Sequence, residues 1–107
     1  MEYDLVITDK KNSTKLWINK GGPFCLEFCN YDCNIDPSDI GRIIMQKPGL
    51  LRTGAILFKD KDDDAMEFVT DKGMKITAII DVPRKEADNF YMAFSIFQDM
   101  GLDITAL

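Results

Sequence analysis

The 107-residue sequence predicts a single α+β domain, residues 1–107, that is mainly β. The expected architecture is a seven-stranded antiparallel curled sheet, or partly open barrel, capped by one C-terminal helix. Three observations carry that expectation. Apolar and polar residues alternate through most of residues 3–82, the period of a half-buried strand. Turn clusters rich in Gly, Pro, Asn and Asp interrupt the alternation at the spacing of a sandwich or barrel. After Pro83 the period lengthens to that of an amphipathic helix, over about residues 83–100.

The strands follow in order. In "YDLVIT", Tyr3, Leu5 and Ile7 share a face; in "TKLWIN", Leu16 and Ile18 oppose Trp17. The "DKKNS" between them is turn chemistry. "FCLEFC" alternates Phe24, Leu26 and Phe28 against Cys25, Glu27 and Cys29. "NYDCNIDPSD" reads as a polar connection, and "IGRIIM" as the fourth strand. "QKPGLLRT" is a turn that leads into the fifth, "GAILFK". There Pro48 fixes one backbone angle and Gly49 supplies a conformation other residues resist, with Leu50 and Leu51 expected to pin the turn to the core or to a neighbour. "DKDDD" is an acidic turn before "AMEFVT", and "DKG" a tight connection to "MKITAIIDV", the seventh strand. The helix places Ala87, Phe90, Tyr91, Phe94 and Phe97 on one stripe, with Pro83 in its first turn and Gly101 just past its end.

With 46% hydrophobic residues the chain can bury a core. Its net charge of −5 argues against a direct nucleic-acid surface, which needs a basic face to displace counterions. The same charge disfavours anionic membranes. No apolar run approaches the roughly 20 residues of a membrane span, and "MEYDLVITDKK" lacks the basic and apolar regions of a secretory signal. Three cysteines, an odd count, fit reduced thiols in a cytoplasmic protein.

Two segments bear a family likeness. "IDPSDIGRIIMQKPGLLRTGAILF" resembles the short bacterial pleckstrin-homology-like domains, where a polar start leads through a strand to a K-P-G-L-L-R-x-G turn and an apolar strand. "MKITAIIDVPRKEADNFYMAFSIF" is similar to the strand of those domains that hands over to an aromatic-rich closing helix. The likeness spans about residues 30–100 and implies that fold, used as a scaffold for protein contacts. Lipid-binding members of the wider superfamily cluster basic residues in the first hairpin loop. This chain offers only Lys10, Lys11, Lys15 and Lys20, so phosphoinositide binding is not expected.

The chemistry-bearing residues point away from catalysis. Histidine is absent, which removes the commonest general base and metal ligand. No nucleophile elbow and no glycine-rich phosphate loop is present. Hence no enzyme activity, metal or cofactor is expected. Cys25, Cys29 and Cys33 lack a fourth ligand. In a strand the first two would lie about 13 Å apart, too far for one ion. Packing is the expected role of these thiols. A Cys25 thiol beside Glu27 should have a raised pKa. Residues 60–71 imitate a calcium loop but put Ala65 where the sharp turn needs glycine, so a solvated turn is expected.

Trp17, Arg52, Met92 and Ile96 are the candidate partner-binding residues. Arg52 stands in the turn; the others lie off their apolar faces, where a protein partner or a second copy of the chain would cover them. The leading expectation is a non-catalytic interaction module whose partner is another protein. One alternative is a small acidic inhibitor of the phage type, with Asp60, Asp62, Asp63 and Asp64 occupying a host protein's basic nucleic-acid site. The other is a thiol-based redox sensor.

Overall fold

The computed structural model describes residues 3–107. Ten strands form around one helix: β1 (Leu5–Asp9), β2 (Thr14–Ile18), β3 (Phe24–Phe28), β4 (Tyr31–Ile35), β5 (Arg42–Gln46), β6 (Gly54–Lys59), β7 (Glu67–Val69), β8 (Lys75–Thr77), β9 (Ile79–Val82), α1 (Ala87–Asp99) and β10 (Ile104–Ala106). The mainly β, helix-near-the-end character is as expected. The single seven-stranded sheet is not found. The described strands make three sheets, ordered β1-β2-β3-β4, β10-β5-β6-β9 and β7-β8, and none closes into a barrel.

Three departures explain the difference. The polar connection contains β4, whose Tyr31, Cys33 and Ile35 alternate with Asp32 and Asn34. Its outward positions are residues depleted from strands in general but common on edges. The long seventh strand divides at Ala78. Before it, β8 pairs with β7; after it, β9 pairs with β6. At the switch the Phe58 N–H donates to the Ala78 carbonyl and the Ala78 N–H donates to the Met66 carbonyl. The apolar face runs through unbroken, since Ile76, Ala78, Ile80 and Val82 are all buried. Finally, a short strand follows the expected C-terminal helix. Gly101, at φ 77, turns the chain back so that β10 pairs parallel to β5.

The helix also differs in detail. Pro83 precedes a short 3-10 turn, Arg84–Glu86, and the α-helix begins only at Ala87. The buried face is Phe90, Ala93, Ile96 and Phe97. It is rotated from the expected stripe, leaving Tyr91 exposed and Phe94 half-buried, because the small Ala93 lets the helix approach closely. Phe24 of β3, Phe58 of β6 and Phe97 of α1 meet pairwise, with ring centroids 5.3–6.0 Å apart. All three are fully buried, and each contributes roughly 1.5–3 kcal/mol. This cluster is where the two four-stranded sheets and the helix join in one core.

The helix start also closes the edge at β1. Glu86 Oε1 accepts from the Thr8 N–H at 3.0 Å, and the Asn89 amide donates to the Val6 carbonyl at 3.5 Å. Two side chains thus stand where a neighbouring strand would bond.

Candidate functional site

The feature that most departs from ordinary surface composition is the β5–β6 loop. Leu50 is 73% exposed and Leu51 96% exposed. The expectation that they pin the turn is overturned: both point into solvent, because the loop is held from within. The Gly49 N–H donates to the Arg52 carbonyl at 3.0 Å. A Cβ on Gly49 would sit 3.3 Å from Arg52 Cγ, so the arginine stem folds over the glycine. At the base, a Cβ on Gly54 would fall 2.3 Å from the Gln46 carbonyl oxygen and 2.6 Å from the Pro48 nitrogen. Only glycine allows that approach. Two leucines and an arginine are therefore presented on a braced turn.

Lys47 links this loop to an apolar groove of about 180 Å³. Its walls are Met45, Phe90, Tyr91, Phe94 and Leu107, with Lys47 among the lining residues. The groove exists because β10 lies beside β5, where the Leu107 N–H donates to the Met45 carbonyl at 2.9 Å. Leu50, Leu51 and Tyr91 were legible in the sequence as apolar residues; their exposure was not.

The other expected contact residues fall on separate surfaces. Trp17 does point away from Leu16 and Ile18, but it is half-covered. Its ring lies 5.4 Å from that of Tyr3, and the Lys15 ammonium sits 5.8 Å from its centroid. Met92 is exposed, whereas Ile96 is only 6% exposed and belongs to the core. The expected exposure of Ile96 fails because the helix is rotated. Both line a shallow depression with Asp4, Lys20, Ser95 and Asp99. Arg52 is exposed in the loop, remote in sequence and element from these.

The acidic turn is partly spoken for. Asp60 Oδ1 accepts from the Asp62 and Asp64 N–H groups at 2.9 and 3.0 Å. Arg42 donates to both Asp63 carboxylate oxygens, at 2.8 and 2.9 Å, and the Lys59 ammonium approaches at 3.5 Å. Partial desolvation pushes the Asp63 carboxyl up, but Arg42 and then Lys59 outweigh it and hold the group below the usual carboxylate range. Asp62 and Asp64 are exposed, with no side-chain partner among the described residues.

The cysteines do not converge. Cys33 faces the core, Cys25 lies on the opposite face of its sheet, and Cys29 is exposed in the β3–β4 turn at φ 52. Burial pushes the Cys25 thiol up, with Asp32, Glu27 and Cys33 adding to it and the Tyr3 hydroxyl opposing. Burial and Asp32 raise Cys33 in the same way. Among the described residues no three His, Cys, Asp or Glu side chains are placed to hold a metal.

Sequence reasoning missed one polar cluster. Asp9 and Thr14, opposite each other in the β1–β2 register, are both buried. The Asn12 amide donates to Asp9 at 2.6 Å and to Asp81 of β9 at 3.1 Å. This bridge ties the β1–β2 hairpin to the second sheet, beside a cleft of about 270 Å³ that Lys75 and Thr77 also line. Its signal was the Asn12 of an apparently ordinary turn. A comparison with protein-family models, curated proteins and solved structures finds no match to this chain.

Proposed function

We propose that this chain is a non-catalytic protein-interaction module with a pleckstrin-homology-like fold, and that it engages its partner through the β5–β6 loop. The observation that carries the reading is the exposure of adjacent Leu50 and Leu51 on a turn braced by Gly49 and Gly54. A loop backbone already held in shape loses little conformational entropy on binding, which is how preorganisation raises affinity. Arg52 and Lys47 flank them, so the complementary surface is an apolar pocket with an acidic rim. Support for the fold assignment lies in β1 to β6 and β9, antiparallel strands ahead of one helix; they fall in two sheets, β4 takes the place of the expected β7 in that set, and β7, β8 and β10 are additions.

Charge mimicry by the acidic turn has less support, since Asp63 is already neutralised by Arg42 and Lys59. A thiol sensor has less as well, since two of the three thiols are buried.

The test is affinity capture from the native host with wild type and two variants, Leu50→Ala/Leu51→Ala and Trp17→Ala/Met92→Ala. Each leucine seated in a partner is worth roughly 1.5–3 kcal/mol, so the loop variant should bind at least about tenfold more weakly. Retention of every partner by the folded loop variant, with loss by the other, would move the site to Trp17 and Met92.

A further inference from the structure

We infer that the chain forms a two-fold dimer in which β4 pairs antiparallel with β4 of a second copy, centred on Cys33. The edges of the first sheet are treated differently. At β1, Glu86 and Asn89 occupy the outward backbone groups of Thr8 and Val6. β4 pairs only with β3, and none of its backbone groups bonds elsewhere among the described residues.

The β3–β4 turn determines which groups that edge offers. Phe28 and Tyr31 flank the two-residue turn Cys29-Asn30, so they form a hydrogen-bonded pair. Alternation makes Leu26–Cys33 and Phe24–Ile35 the next such pairs. Tyr31, Cys33 and Ile35 therefore direct their backbone groups at β3, while Asp32 and Asn34 direct theirs outward.

Charge then selects the register. Faces match only when a two-fold axis passes through a residue of the strand. An axis at Asp32 sets two carboxylates opposite each other. An axis at Asn34 sets Asp32 opposite Asp36 of the second copy. Both arrangements are repulsive. An axis at Cys33 sets Asp32 opposite Asn34 in both halves, and Tyr31 opposite Ile35. Asp32 has reason to accept that amide. Its partner within the chain is the like-charged Glu27, and neither its carboxylate nor the Asn34 side chain has a hydrogen bond or ion pair among the described residues. The outward N–H and C=O groups of Asp32 and Asn34 add about four backbone hydrogen bonds, and Cys33 meets Cys33 at a close, non-hydrogen-bonded position. This interface is self-complementary, as a two-fold contact must be. It is separate from the β5–β6 loop, which each copy keeps free.

The experiment is sedimentation of the full chain over a concentration series to about 1 mM, since so short an interface belongs to the weak end of the range. Asn34→Asp, which puts two carboxylates together, should weaken the dimer at least about tenfold, and Asn34→Lys should tighten it. One substitution weakens and the other strengthens, a pattern that loss of folding does not produce. In parallel, prolonged diamide oxidation of Cys29→Ser, which removes the exposed thiol and in which each of two remaining thiols gives up a hydrogen to the reagent, should slowly yield a Cys33–Cys33 peptide by mass spectrometry. A chain that stays monomeric throughout overturns the inference. So does a dimer indifferent to both Asn34 substitutions.

Discussion

Replacing Gly54 with alanine tests whether the exposed loop is braced by its base. The added methyl would lie 2.3 Å from the Gln46 carbonyl oxygen, 2.6 Å from the Pro48 nitrogen and 2.9 Å from the Lys47 carbonyl carbon. All three are backbone atoms, so no side chain can swing aside. Either β5 and β6 separate locally or the loop is rebuilt. Overpacking of this kind costs about 1–3 kcal/mol, and backbone contacts on every side place Gly54→Ala near the top of that range. In a domain of this size such a loss lowers the Tm by roughly 10–20 °C. Urea and thermal unfolding followed by circular dichroism measure it, with Leu51→Ala as the comparator. That truncation removes an almost wholly exposed side chain and should change stability by no more than about 0.5 kcal/mol. If Gly54→Ala unfolds within that same margin of wild type, β5 and β6 have slack and the loop is not braced.

Three further outcomes are expected. Glu86→Ala should strip the cap from the Thr8 N–H, speeding exchange of that amide by hydrogen-exchange NMR and costing about 1–2 kcal/mol; unchanged exchange would refute the cap. Asp63 and Asp36 both have carboxyls held below their ordinary value, Asp36 by the Ser38 N–H and hydroxyl. A depressed carboxyl stabilises the fold above its unfolded pKa of about 4 and loses that contribution as pH falls through the folded value. Asp63→Asn should therefore narrow the stability gap between pH 6 and pH 3 in urea unfolding, and an unchanged gap would contradict the ion pair. Native thiol titration should find Cys29 reacting first, with Cys25 and Cys33 slow until the chain unfolds; three thiols reacting together would contradict their burial.

Much of the fold was legible because apolar alternation is a local record of burial. Leu16 and Ile18, or Ile56 and Phe58, announce their face within a few residues. β4 was hidden because its outward positions, Asp32 and Asn34, are read as turn residues when nothing says that the strand lies on an edge. β10 was hidden by its length. The division between β8 and β9 leaves no trace in the pattern, since Ile76, Ala78 and Ile80 keep their phase while the hydrogen-bond partner changes.

The candidate site divides the same way. Pro48, Gly49, Leu50, Leu51 and Arg52 mark a peculiar turn on composition alone. Whether leucines on a turn face inward or outward depends on the space between β5 and β6, and that is decided by backbone contacts at Gly54. Ile96 and Tyr91 exchanged places relative to expectation because the helix settled with Ala93 against the sheets. The amino-acid sequence by itself determined the period of each main element, the acidity, and the scarcity of catalytic groups, which are properties of neighbours along the chain. Only the tertiary structure decided which edges are closed, which leucines are bare and which aspartates are paired. Those depend on residues distant along the chain, such as Arg42 with Asp63, 21 positions apart, and Thr8 with Glu86, 78 apart, that meet only when the sheets and helix have packed.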